Sequence, residues 1–198
     1  MQSGRKPGRR WASEPLIVSC WGSLGAREMN KKIAQFMRCE CEDGTPFHHI
    51  HATGSFGWRW MPDYVREQGV DLAAQPRIEM REYIYDMPQV LAAADLIICR
   101  AGAATIAEVC ASGTPCIMVP SPNVTGNHQE KNARVLERSG AAAVVREADC
   151  DGKSLYETAR SILSDAGRMR AMRASARDMA VVDAAERIYQ TALDLAKH

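Results

Sequence analysis

Gly102, Ala103 and Ala104 follow the apolar run LIICR and open a helical pattern that carries Thr105 and Glu108. Residues with almost no side-chain bulk leave the N–H groups of a helix start free to meet an anion. Glu108 lies three positions beyond Thr105 and shares its side of the helix. A carboxylate one turn from a phosphate site can accept hydrogen bonds from two neighbouring sugar hydroxyls. Taken alone, Glu108 reads more simply as a solvated helix residue. Ala103, Ile106, Val109 and Cys110 are expected to form the buried face of this helix.

Two other loops carry candidate chemistry. WGSLGAR places Gly22, Ser23 and Gly25 between a strand pattern and a helix, where small residues admit a phosphate, although a tight turn with no ligand explains them as well. It is neither a dinucleotide glycine fingerprint nor a P-loop. PSPNVTGNHQEKNA supplies Asn127 as an expected helix N-cap with Glu130 in capping-box spacing. His128, Gln129 and Asn132 follow as neutral hydrogen-bonding groups suited to sugar hydroxyls, and surface helices carry such residues freely.

Metal chemistry is not expected. Asp149-Cys150-Asp151 has D-x-D spacing, but Asp151 is placed to cap the next helix. In a strand, His48 points opposite to His49 and His51, and two histidines alone make no zinc site. Cys39 and Cys41 lack the C-x-x-C spacing of a structural zinc site.

The elements that must position these loops alternate. LIVSCW, FHHIHAT, IEMREYI, LIICR, CIMVP and AAAVV read as short buried strands. Helices are expected near 26–38, 58–68, 103–112 and 127–139, with a short one before LIICR. Such alternation builds right-handed βαβ units, hence a doubly wound parallel α/β sheet of Rossmann-like type covered on both faces. The tail from about 151 to 196 carries only helical signals and extends that single domain. Ligands of such folds bind beyond the carboxyl ends of the strands.

Composition narrows the classes. The 198 residues are 46% hydrophobic and 25% charged with a formal charge of +1, so no global attraction to nucleic acid is expected. No apolar stretch approaches the roughly 20 residues of a membrane span. Arg5, Lys6, Arg9 and Arg10 lead into no apolar core, unlike a secretory signal, and residues 1–14 read as a flexible basic arm or linker remnant. Seven cysteines, with Cys20, Cys99 and Cys116 inside apolar runs, fit a reducing cytoplasmic setting. The arginine-rich stretch 167–177 reads as a solvated helix face, with contact to anionic lipid as the alternative.

Over residues 15–165 the order WGSLGAR, YIYDMPQVLAAADLIICRAGAATIAEV, PSPNVTGNHQEKNA resembles the second half of the MurG-type N-acetylglucosaminyltransferases of peptidoglycan synthesis. The resemblance implies the donor-binding C-terminal half of a two-domain GT-B enzyme that binds UDP-N-acetylglucosamine (UDP-GlcNAc) without cofactor or metal. It implies that Gly22, Ser23, Ala104 and Thr105 cradle the diphosphate and that Glu108 holds the ribose diol. Tyr83, Ile84 and Met87 would line the uracil pocket, with Gln129 and Asn132 on GlcNAc hydroxyls and His128 adjacent. The family's first loop usually reads Gly-Gly-Ser-Gln-Gly-Ala, whereas Trp21 and Leu24 here replace a glycine and the glutamine.

On this resemblance the acceptor, undecaprenyl-linked MurNAc-pentapeptide, and the catalytic base belong to an N-terminal domain on the same or a separate chain. This chain alone is then expected to bind donor without turnover, and the intact enzyme to sit on the cytoplasmic face of the membrane. Two rivals share the fold: a non-catalytic donor-binding subunit of a split glycosyltransferase, and one half of a UDP-GlcNAc 2-epimerase.

Overall fold

The computed structural model describes residues 14–196. Its centre is a six-stranded parallel sheet in the order β3-β2-β1-β4-β5-β6. The strands are β1 Leu16–Cys20, β2 His48–Ala52, β3 Ile78–Arg81, β4 Leu96–Cys99, β5 Cys116–Met118 and β6 Ala142–Val144. All six lie within the apolar runs identified in the sequence. β1, β2 and β4 are buried along their whole length, as expected of strands covered on both faces.

Helices cover the two faces. On one side α1 (Arg27–Glu42), α3 (Met61–Glu67) and α7 (Gly152–Ser164) enclose a core containing Ile17, Ile33, Phe36, Phe47, Leu96 and Ile98. On the other, α4 (Met87–Ala93), α5 (Ala103–Ser112), α6 (His128–Arg138) and α8 (Ala166–Asp178) enclose Val18, Ile50, Ile84, Ile97 and Met118. The final helix, α9 (Ala184–Leu195), has no buried residue.

Local rules explain most ends. Gly113 terminates α5 in the left-handed conformation, φ +63°. Asp151 accepts from the Ser154 N–H while the Ser154 hydroxyl accepts from the Asp151 N–H, so this aspartate is a cap. Asp165 caps α8 through the Arg168 N–H, 2.9 Å.

Four expectations need correction. β3 ends at Arg81, so Tyr83 and Ile84 belong to the loop beyond it. The helix expected near 58–68 is two, α2 (Ser55–Trp58) and α3, the second opening with Pro62 in its first turn. Asn127 holds the N-cap position of α6 in a left-handed conformation, φ +53°, without a capping bond; its amide instead donates to the Glu130 carboxylate, 2.8 Å. Ala103 is exposed rather than buried.

Residues 1–13 lie outside the described part, and with them most of the expected basic arm. Glu14, the last residue of that arm, bonds to His48 at 2.9 Å and to Arg77 at 2.6 Å. His49 and His51 point to the opposite face from His48 and share one hydroxyl. Ser19 Oγ lies 2.7 Å from His49 Nε2 and 2.7 Å from His51 Nδ1, while His49 Nδ1 meets Glu40 Oε2 at 2.9 Å. All four residues are fully buried, so this chain of hydrogen bonds ties α1 to β1 and β2 inside the core.

Candidate functional site

The sheet reverses its winding between β1 and β4, because β2 and β3 extend to one side and β5 and β6 to the other. The loops after these two strands diverge to opposite faces and leave a crevice at their carboxyl ends, the usual ligand position in such a fold.

On the β1 side the chain turns at Gly22 and Gly25, φ +80° and +83°, and the Gly25 N–H closes the turn on the Gly22 carbonyl at 3.2 Å. Gly25 backs directly onto Gly54 in the loop after β2. A Cβ on Gly25 would lie 2.1 Å from the Thr53 oxygen, and one on Gly54 would lie 2.1 Å from the Gly25 nitrogen. The first amides of α2 complete the junction: Ser55 donates to the Ser23 carbonyl at 3.0 Å and Phe56 to that of Leu24 at 3.2 Å. Gly22 and Ser23 remain exposed at the tip. The Gly25–Gly54 contact was not legible in sequence, since it depends on which loops the strand register brings together.

On the β4 side Ala101 is fully buried and Gly102 enters α5 in extended backbone with no side-chain cap. The Ile106 N–H donates to the Gly102 carbonyl at 3.0 Å, closing the first turn. Ala103 and Ala104 are exposed, Thr105 is half-buried, and Glu108 is exposed one turn further. The helix therefore offers uncapped amides and the positive end of its dipole at the crevice. The Glu108 charge also reaches the strand ends. Burial pushes the Cys20 thiol up to about 12, the Glu108 carboxylate adds to that, and a Gly22 backbone hydrogen bond opposes it.

Arg100, which had no role in the sequence-based site, clasps this region together. It donates to the Val119 carbonyl at 3.0 Å, lies 2.6 Å from a Glu147 carboxylate oxygen, and stacks over Trp21 at 5.6 Å. One guanidinium thus joins the exits of β1, β4 and β5 to the turn after β6.

The loop after β3 carries Tyr83 and Ile84, and Met87 opens α4 behind it. Ile84 is 2% exposed and anchors the loop in the core, Met87 packs at the core's edge, and Tyr83 stands 45% exposed. From there α4 packs against β1 and α5, so the loop runs toward the crevice. His128, Gln129 and Asn132 occupy the start of α6, after β5. Gln129 Oε1 accepts from the Ser121 N–H at 2.9 Å, and His128 Nδ1 lies 3.0 Å from the Thr125 carbonyl. Both side chains stabilise their own loop with one polar atom.

A cavity of about 550 Å³ opens on the α1 side of the β5 loop, bounded by Lys32, Ser121, Asn127, Arg146 and Glu147 among others, and by none of the eleven expected site residues. Most of its charged groups are already paired, Arg146 with Asp149 at 2.5 Å within the cavity and Glu147 with Arg100 at 2.6 Å outside it. The uncapped start of α5 and the exposed Glu108 lie apart from this cavity, at the carboxyl end of β4. Among the described residues no three His, Cys, Asp or Glu side chains group as metal ligands, and no helix is long and apolar enough to cross a membrane.

The glycosyltransferase family 28 C-terminal domain matches residues 16–188. The chain belongs to this family. The chain is 39% identical over 184 residues to the UDP-N-acetylglucosamine--N-acetylmuramyl-(pentapeptide) pyrophosphoryl-undecaprenol N-acetylglucosamine transferase of Acetivibrio thermocellus, covering 93% of this chain and 48% of that protein. It is 40% identical over 178 residues to the enzyme of the same name from Caldanaerobacter subterraneus subsp. tengcongensis, covering 90% and 48%. The chain thus spans about half the length of these curated relatives.

Among solved structures, Acinetobacter baumannii MurG superposes with a TM-score of 0.77 at 25% identity, over 94% of this chain and 54% of that one. The S. aureus MnaA-UDP co-structure superposes with a TM-score of 0.65 at 15% identity, over 89% and 44%, a likeness of fold alone. The fold is that of the C-terminal half of a GT-B glycosyltransferase.

Proposed function

We propose that this domain binds UDP-GlcNAc and, with an acceptor-binding half, transfers GlcNAc to undecaprenyl-linked MurNAc-pentapeptide at the cytoplasmic face of the membrane. The observation that carries the reading is the placement of the uncapped α5 start and Glu108 at the switch point, opposite the Gly22–Ser23 tip. An anion and an adjacent diol fit that pairing. The 39% and 40% identities to proteins named as GlcNAc transferases supply the sugar and the acceptor. They favour transfer over the epimerase reading, for which only a likeness of fold speaks, to a putative UDP-N-acetylglucosamine 2-epimerase of Listeria monocytogenes at 16% identity and a TM-score of 0.62.

In this reading the amides of Ala103, Ala104 and Thr105, with Ser23, hold the diphosphate, and Glu108 accepts from both ribose hydroxyls. Tyr83, Ile84 and Met87 form the uracil pocket. Gln129, whose oxygen is engaged by Ser121, presents its NH2 to a sugar hydroxyl beside Asn132 and His128.

Transfer is a single inverting displacement: the muramyl 4-hydroxyl, losing its proton to a base of the acceptor half, attacks the anomeric carbon as UDP leaves. The helix amides stabilise the charge that grows on the diphosphate, and the site contributes orientation rather than proton transfer. The donor unit is residues 15–198, and the basic stretch ahead of β1 serves as connector.

Calorimetric titration tests the binding step. UDP and UDP-GlcNAc bind with one-to-one stoichiometry and UDP-GalNAc binds more weakly; absence of UDP binding by the folded chain overturns the reading.

A further inference from the structure

The loop between β3 and α4 exposes an aromatic ring for which the fold has no use. Tyr85 is 91% exposed, so it contributes almost nothing to the core. Its ring nevertheless lies edge-on to that of Tyr83, with centroids 5.0 Å apart and planes inclined at 65°. That is the favoured geometry for two aromatic rings, and it restricts how each can turn.

The backbone around the pair is fixed at both ends. The Glu82 carbonyl accepts from the Gly54 N–H at 3.0 Å, and the Asp86 carbonyl accepts from Gln89 and Val90 at 3.0 Å each, opening α4. Between them Ile84 is sunk in the core, which sends Tyr83 and Tyr85 together to the solvent side. The loop is therefore a rigid mount carrying two rings, and Tyr83 is the less exposed of them.

We propose that Tyr85 is a positioning residue for nucleotide recognition: its edge-to-face contact holds the Tyr83 ring in the orientation that covers the pyrimidine base of the donor. Unrestrained, a 45% exposed tyrosine samples several rotamers, and ordering it on binding costs free energy. Tyr85 removes part of that cost before the ligand arrives. The inference rests on the reading that Tyr83 lines the base pocket.

The test is a double-mutant cycle on the full chain, read by calorimetry with UDP and with inorganic pyrophosphate, which engages the phosphate cradle but no base site. Tyr85→Ala weakens UDP about 2- to 10-fold, the range expected of one aromatic pair. It leaves pyrophosphate affinity and the melting temperature unchanged, and Tyr85→Phe behaves as wild type. In a Tyr83→Ala background, Tyr85→Ala has no further effect. Unchanged UDP affinity in Tyr85→Ala, or an equal loss with and without Tyr83, overturns the positioning role while leaving the base pocket standing. A Tyr83→Ala variant that binds UDP as wild type overturns the place of Tyr83 in the base pocket, and the inference with it.

Discussion

Arg100 Nη1 lies 2.6 Å from Glu147 Oε2, with both side chains less than a fifth exposed. The pair joins the exit of β4 to the turn after β6, and the same guanidinium covers Trp21 at the exit of β1. Arginine stands at the end of a buried strand because a flat, permanently charged group can hydrogen-bond, pair and stack at once, which lysine cannot do.

Removing one partner leaves the other charge half-buried and uncompensated. Arg100→Met is expected to lower stability by about 2–4 kcal/mol, whereas Arg100→Met with Glu147→Gln recovers much of the loss. Urea denaturation of the single and double variants checks this. Additive losses would mean that the pair contributes no coupling.

Glu108 tests the diol assignment without touching the core. Glu108→Ala is expected to weaken UDP about ten- to a hundredfold, as loss of hydrogen bonds to a charged acceptor should. Wild type should prefer UDP to 2′-deoxy-UDP, and the variant should lose that preference. Asp149→Ala, which removes only a surface contact with Arg146, should bind as wild type.

The glycine junction separates steric demand from backbone demand. Gly54→Ala drives a methyl into the Gly25 backbone and is expected to cost at least about 3 kcal/mol. Gly22→Ala meets nothing within 4 Å and carries only the penalty of its positive φ, about 1–2 kcal/mol. Thermal or urea unfolding of the two variants distinguishes them.

The buried histidine chain predicts acid sensitivity. Burial, aided by the neighbouring His49, holds His51 well below 6.5, so the unfolded chain binds a proton there that the folded one refuses. Stability from this group is complete above about pH 6.5 and falls as pH drops below it, by at most about 1.4 kcal/mol per pH unit. Glu40 acts in the opposite sense. Burial raises its pKa above 4.5 against the pull of His49, so uptake of a proton by the folded state offsets part of the loss at lower pH. In His51→Gln the slope just below pH 6.5 should disappear, whatever the absolute stability of the variant; urea midpoints between pH 8 and 5 measure it.

All six strands, and with them the loops at their carboxyl ends, could be read from sequence because buried parallel strands form continuous apolar runs and the crossover helices have their own period. The end of β3 was misplaced since IEMREYI continues apolar past Arg81, but Ile84 is buried by the loop's packing rather than by strand pairing. Ala103 was assigned inward from helical periodicity, yet it is exposed, and the core contact of α5 begins with Ile106, one turn further on. The Asn127 cap failed because Gly126 and Asn127 both adopt left-handed backbone, which turns the side chain away from the helix amides. Arg100, Gly54 and Glu147 act through contacts distant in sequence, and composition and spacing carry no trace of such partners.

The amides that fasten Ser23 and Leu24 to the start of α2 are engaged whether or not anything occupies the crevice. The hollow beside Gly22 is therefore cast by the fold itself, so a substitution at Gly54 would deform it from a distance, through the two backbone bonds that α2 makes to this turn.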